Sequence, residues 1–204
     1  MAIELKNSVF IHVPKCGGRS ITQILQRFVP NYKVLGDVMY DAHDTPDTDK
    51  QVFGFIRHPA TFIHSIWTHR ARKKANKFGH VWNWQPYLRL ESECGDQDYN
   101  KFVENILNGK DYVLDYYMHY LGKYNNPQIG KMENLLDELI KFLKENNEDF
   151  DEDGIKNYST VHGANNKSTN KPVSLSSSMT DDQIKKLVNI SEKKLCEEFK
   201  YEIW

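Results

Sequence analysis

Apolar runs of strand length alternate along this chain with stretches whose apolar residues recur every three or four positions. Val9, Phe10, Ile11 and Val13 make the first run, and the pattern predicts a strand over 9–13. Ile21, Ile24, Leu25 and Phe28 then follow helical spacing, so a helix is expected over 20–28. A weaker strand is expected over 32–35, a strong one over 52–56, and another over 128–132 that leads into a helix over 133–145. That helix carries Leu135, Leu136, Leu139, Ile140 and Leu143 on a core-facing stripe. Pro59 suits the first turn of a further helix, with Phe62, Ile63, Ile66 and Trp67 as its buried stripe. Residues 146–153 form a polar, acidic turn, and 163–178, rich in Asn, Ser, Thr and Lys, a long mobile loop. Thr180 followed by Gln183 has capping-box form and opens a last helical region. Strands alternating with helices predict an α/β fold with a central, mainly parallel sheet and helices on its faces. A single domain over 1–204 is expected, with no internal repeat.

Composition narrows the function classes. A chain of 204 residues with 39% hydrophobic and 12% aromatic content suits one globular domain with a real core. The formal net charge of -1 predicts no general attraction to nucleic acid or to an anionic membrane, so any basic site must be local. Cys16, Cys94 and Cys196 are odd in number, far apart and without metal-ligand spacing, which predicts a reducing compartment. Glu4, Lys6 and Asn7 precede only a short apolar run, unlike a signal peptide, and no run reaches transmembrane length; a soluble, cytoplasmic protein is expected.

The chemistry concentrates where the first strand meets the first helix, at Pro14-Lys15-Cys16-Gly17-Gly18-Arg19-Ser20. A Pro that stops the ladder and two glycines able to take positive φ would aim backbone N–H groups at one point, and the helix N-terminus would add its positive end. With Lys15 and Arg19 beside these donors, the expected occupant is a phosphate or sulfate group. The spacing differs from the nucleotide-binding loop in which Lys follows the second glycine and precedes a magnesium-binding Ser or Thr. Here Lys15 comes first and the metal-binding half is missing. Cys16 and Arg19 also lie too close in sequence to wrap a phosphate as cysteine phosphatases do; Cys16 is read as a small residue fitting the turn, with an activated thiolate as the alternative.

A second constellation is Phe55-Ile56-Arg57-His58-Pro59 with Ser65. In phosphoryl-transfer enzymes with a glycine loop, the neighbouring strand often ends in a carboxylate that holds magnesium; this strand ends in Arg57. Ser65 shares a helix face with His69 and Arg72, so Arg57 and Ser65 are candidates to hold a second phosphate, the alternative being a solvated basic face.

These residues resemble the sulfotransferases that use 3'-phosphoadenosine 5'-phosphosulfate (PAPS), in particular the branch containing carbohydrate and heparan sulfate sulfotransferases. The segment from Phe10 to Ser20 is similar to that family's 5'-phosphosulfate loop, and Arg57-His58-Pro59 with Ser65 to its 3'-phosphate motif. Fainter similarities follow at His43, Gln85-Pro86-Tyr87-Leu88, Lys131-Met132-Glu133-Asn134-Leu135 and Asn166-Lys167-Ser168. Cys16 departs from the Thr usual in the loop, and the sequence has no counterpart of the membrane anchor of Golgi members, which points to a soluble microbial or viral type. The resemblance implies a three-layer, P-loop-like fold and in-line sulfuryl transfer to a hydroxyl, with PAP (3'-phosphoadenosine 5'-phosphate) as product and no metal. It implies that Lys15 stabilises charge on the bridging oxygen. Cys16, Gly17, Gly18, Arg19 and Ser20 would hold the 5'-phosphosulfate, Arg57 and Ser65 the 3'-phosphate, and Lys167 and Ser168 would close over the nucleotide.

An acceptor hydroxyl needs a base that titrates near neutrality. His43, flanked by Asp41 and Asp44, should lie at the same sheet edge as Lys15 and is the candidate; an exposed turn histidine is the alternative. The acidic run Asp41, Asp44, Asp47 and Asp49 lacks the glycine and distal Glu of a calcium loop. His12 is expected to be structural, and His58, His64 and His69 to tune the 3'-phosphate site. Residues 76–98, with Phe78, His80, Trp82, Trp84, Tyr87 and Arg89, form a candidate acceptor-side lid. The acceptor is expected to be a glycan or another hydroxyl-bearing small molecule. The rival readings are a non-catalytic PAP-binding module and a small-molecule kinase.

Overall fold

The computed structural model describes residues 2–35, 45–74, 88–162 and 179–203, less the side chains of 70–74 and 159–162. The candidate base His43, the loop over 163–178 with Lys167 and Ser168, and most of the lid over 76–98 lie outside the described residues. Two compact units are present, one built from residues 1–57 and 120–171, the other from 58–119 and 172–204.

The first unit holds the sheet. Its strands are β1 (Ala2–Glu4), β2 (Ser8–Ile11), β3 (Lys33–Leu35), β4 (Gln51–Ile56) and β5 (Gln128–Lys131), in the order β3-β1-β2-β4-β5. β2, β4 and β5 run parallel, with Ile11 level with Gly54 and Ile56 level with Lys131. β1 is antiparallel to both β2 and β3, so the sheet is mixed, and the expected mainly parallel order holds only for one half of it. The cause is local. A short turn whose Leu5 N–H donates to Ser8 O at 2.8 Å folds the first residues back as a hairpin, which places β1 antiparallel between β2 and β3.

β2 and β4 are buried along almost their whole length, as central parallel strands covered on both faces should be. Phe10 packs on Phe53 with ring centroids 5.6 Å apart, and Phe142 of α6 (Leu135–Glu145) inserts against Phe53 and Phe55 at 5.9 and 5.8 Å. α1 (Gly18–Phe28) and α7 (Glu152–His162) complete this unit, joined where Phe28 meets Tyr158 edge-on beneath the Arg27 guanidinium. The start of β2 is pinned by the buried Glu148 carboxylate, which accepts from Asn7 N–H at 2.9 Å and from the Ser8 hydroxyl at 2.7 Å.

The second unit is helical: α2 (Pro59–Lys74), α3 (Arg89–Ser92), α4 (Tyr99–Leu107), most of α5 (Tyr112–Leu121), α8 (Asp181–Lys186) and α9 (Lys193–Phe199). Thr180 and Gln183 form the expected capping box at α8. Phe62 of α2 packs on Tyr116 and Tyr117 of α5, 5.1 and 5.0 Å away. Among the described residues no helix is long and apolar enough to cross a membrane.

A π-helical turn over Leu187–Ser191 separates α8 from α9 and turns Glu192 inward. Glu192 is fully buried, and its two oxygens accept from the Val113 and Leu114 N–H groups at 2.9 and 3.2 Å, the first-turn donors of α5. Burial pushes this carboxyl up to about 8; the two N–H donors act the other way, and Asp111 and Asp115 add to the rise. A carboxyl raised by folding holds its proton longer in the native state, so its stabilising contribution is complete below the unfolded value and is lost as pH climbs through 8. Thermal unfolding from pH 5 to 9 is therefore expected to show stability falling by about 1 kcal/mol per pH unit until that value is passed. Glu192→Gln should be less stable near pH 5, because its NH2 faces an amide donor, and should lose most of the slope, so that the two profiles converge toward pH 8. Parallel profiles for the two proteins would contradict this assignment.

Candidate functional site

β2 ends at Ile11, and the chain passes through His12 and Val13 into the turn Pro14-Lys15-Cys16-Gly17 before α1 begins. The turn is closed by Cys16 N–H donating to Val13 O at 3.3 Å. Lys15 sits at φ 66 and Gly17 at φ 80, so left-handed residues flank Cys16 on both sides. Backbone of this kind turns successive N–H groups toward one side. A lysine in that conformation costs of order 1 kcal/mol, and such residues cluster at ligand clamps. Gly17 is the N-cap of α1; among the described residues no side chain caps this helix, and its first turn carries no acid. The Gly18, Arg19 and Ser20 amides thus stand at the positive end of an eleven-residue helix whose own first turn carries no acid.

Packing explains both glycines. A Cβ on Gly17 would meet Leu135 Cδ1 at 2.5 Å and Met132 Cγ at 3.6 Å, so the 3-10 turn Met132–Asn134 and the start of α6 close over the loop. A Cβ on Gly18 would overlap the His12 ring, which itself stacks on Phe10 at 6.4 Å and 18°. His12 is thus structural, as expected: its ring is the floor on which the first turn of α1 rests. The Cys16 side chain is buried and its amide closes the turn on Val13 O, so this residue shapes the loop. Lys15 is half-buried and Arg19 exposed.

Arg57 follows directly on β4 and is half-buried. Because β2 and β4 are parallel, Arg57 and the Lys15 turn leave the sheet at the same carboxyl edge, the position where open α/β sheets bind ligands. β5 brings a further cation to this edge at its last residue, Lys131.

Ser65 belongs to the second unit, half-buried on α2 directly before the buried Ile66. Phe62, Ile63 and Ile66 form the expected stripe, and Trp67 is half-buried with its indole N–H donating to Asp96 O at 3.2 Å. His58 corrects the expectation that it tunes a phosphate site. Its Nδ1 accepts from Ala60 N–H at 3.3 Å, which leaves the ring proton on Nε2, 3.1 Å from Glu202 O. With 1% exposure and Tyr201 packed edge-on at 5.2 Å, His58 caps α2 and ties down the C-terminal segment. His64 likewise packs edge-on against Tyr99, 6.0 Å away.

No family model, curated protein or solved structure matches this chain. The edge combines a left-handed lysine turn, a helix N-terminus with no acid in its first turn and an arginine directly after the adjacent parallel strand, together suited to an anion.

The close contact at Gly18 is testable without any ligand. Gly18→Ala is expected to destabilise the protein by roughly 2 kcal/mol through overpacking against His12. His12→Ala in the same chain should recover much of that loss in denaturant unfolding. Strictly additive effects would show that the ring is not the obstacle.

Proposed function

We propose that this protein is a PAPS-dependent sulfotransferase that moves a sulfuryl group to a hydroxyl acceptor, a carbohydrate before other alcohols. The observation that carries this reading is the carboxyl edge of the sheet: Lys15 held left-handed ahead of α1, with Arg57 rather than a carboxylate ending the neighbouring strand. A magnesium nucleotide would call for an acid at that strand end. An arginine there neutralises an anion directly and favours a donor with phosphates at both its 5' and 3' positions. The three-layer, P-loop-like architecture and a cytoplasmic setting are part of the same proposal.

In this reading the acceptor oxygen attacks sulfur as the bond from sulfur to the bridging phosphate oxygen breaks. The transferred group carries less charge than a phosphoryl group, so positioning and fixed dipoles supply most of the rate. Lys15 stabilises the charge left on the departing oxygen, the amides from Gly17 to Ser20 with the Arg19 and Ser20 side chains grip the 5' end, and Arg57 grips the 3'-phosphate. His43 takes the acceptor proton, and Lys167 and Ser168 cover the nucleotide.

Titration calorimetry with PAP and with ATP, each with and without magnesium, tests the donor assignment. PAP is expected to bind equally well in EDTA, and preference for magnesium-ATP would overturn the proposal. Arg57→Ala is expected to weaken PAP binding by ~1.5–3 kcal/mol, the worth of a lost charge-assisted contact. Unchanged affinity would remove Arg57 from the site. A screen of glycans and simple alcohols with labelled PAPS then identifies the acceptor.

A further inference from the structure

The second unit holds a buried carboxyl and buried thiols that the proposed donor site does not use. From Lys185 to Cys196 exposure alternates in pairs: Lys185 and Lys186, Asn189 and Ile190, and Lys193 and Lys194 face out, while Leu187 and Val188, Ser191 and Glu192, and Leu195 and Cys196 are buried. The π-helical turn over Leu187–Ser191 lies at the middle of this rhythm. Glu192 thus takes a place in an inward stripe that is otherwise apolar or small. Its two oxygens accept from the Val113 and Leu114 N–H groups, so one carboxyl joins the start of α9 to the first turn of α5. The backbone adds one link beside it, Asp111 N–H donating to Ser191 O at 2.8 Å.

The surroundings of this carboxyl oppose a negative charge. Asp111 and Asp115, before and within the first turn of α5, are the charged groups that act on it most, and Asp115 is itself paired with Arg89. The Cys94 thiol, with Glu93 beside it, and the Cys196 thiol of α9 are near enough to feel the same charge. α2 and α4 also pack on the π-helical turn, and their buried side chains are apolar or aromatic, Ile63, Ile66, Tyr99 and Ile106 among them. Ionised Glu192 therefore has two amide donors in its favour, with full burial and two neighbouring acids against it. We propose that Glu192 is a pH-operated latch: when it loses its proton, the start of α9 comes away from α5 and the Cys196 thiol becomes open to reagents in solution. The closed form keeps a proton that the open form releases, so opening gains with each step in pH toward 8. Tyr201, packed edge-on against His58, tethers the chain beyond α9, so the release is local. The inference concerns the second unit and stands apart from the donor reading.

Labelling with iodoacetamide, read at each cysteine by peptide mass spectrometry, tests this on the full chain. Dividing the rate for the urea-unfolded chain by the native rate at the same pH cancels the thiol's own ionisation and gives a protection factor. From about pH 6.5 to 9, protection of Cys196 is expected to fall roughly tenfold or more, and further than that of Cys16 in the first unit, with the far-ultraviolet circular dichroism unchanged. In Glu192→Gln, whose folding a melting curve confirms, it should change less than about twofold. Amide hydrogen exchange at Val113 and Leu114 of the wild-type protein, corrected for its intrinsic pH dependence, needs no substitution and should lose protection together with Cys196. Constant protection of Cys196 or of these two amides in the wild-type protein, or an equal fall in Glu192→Gln, overturns the inference. Equal falls at Cys196 and Cys16, the mark of unfolding of the whole chain, overturn it as well.

Discussion

The parallel pairing of β2 with β4 is the constraint on which the rest depends. It buries Phe10 against Phe53, and with it most of the apolar surface of the first unit. Because the two strands point the same way, whatever follows each of them emerges at one edge. The lysine turn follows one and Arg57 follows the other. Core packing and charge placement are therefore the same decision: a one-residue slip of β4 would turn its apolar residues to the wrong faces and displace Arg57 as well.

The loop is in turn supported from below and above. His12 forms the floor under Gly18, and Met132 with Leu135 the cover over Gly17. Neither glycine has room for a side chain. Between these supports Lys15 keeps a conformation that an L-residue adopts at a cost. The second unit shows the opposite use of charge. There the buried Glu192 satisfies the first donors of α5, and the nearby thiols of Cys94 and Cys196 are each pushed up to about 12 by burial, which leaves them unreactive.

Much of this architecture is legible in the amino-acid pattern. The apolar runs at 9–13, 52–56 and 128–132 and the spacing in 20–28 and 133–145 correspond to β2, β4, β5, α1 and α6 within a residue or two. The hairpin strand β1 is not, because three residues are too few to show a period and its pairing is decided by β2. Glu192 stands in the polar run Ser191-Glu192-Lys193-Lys194, which reads as solvated; only the π-helical turn before it rotates the side chain inward. Lys15, Arg19 and Arg57 can be read from local motifs. That Lys131 ends a strand level with Ile56 cannot, since it is a fact of strand register, and register is settled by long-range pairing rather than by neighbours in sequence. The role expected for His58 fails for a similar reason: its partners, Ala60 and Glu202, are both backbone groups, and one lies far along the chain.

The central claim is that the amides from Gly17 to Ser20 form a metal-independent cradle for the donor nucleotide. Amide hydrogen exchange resolved to this loop, with and without saturating PAP in EDTA, measures it directly. PAP is predicted to slow exchange at Gly17, Gly18, Arg19 and Ser20 with no divalent cation present. Unchanged exchange at these four positions, or protection that requires magnesium and ATP, would contradict the account.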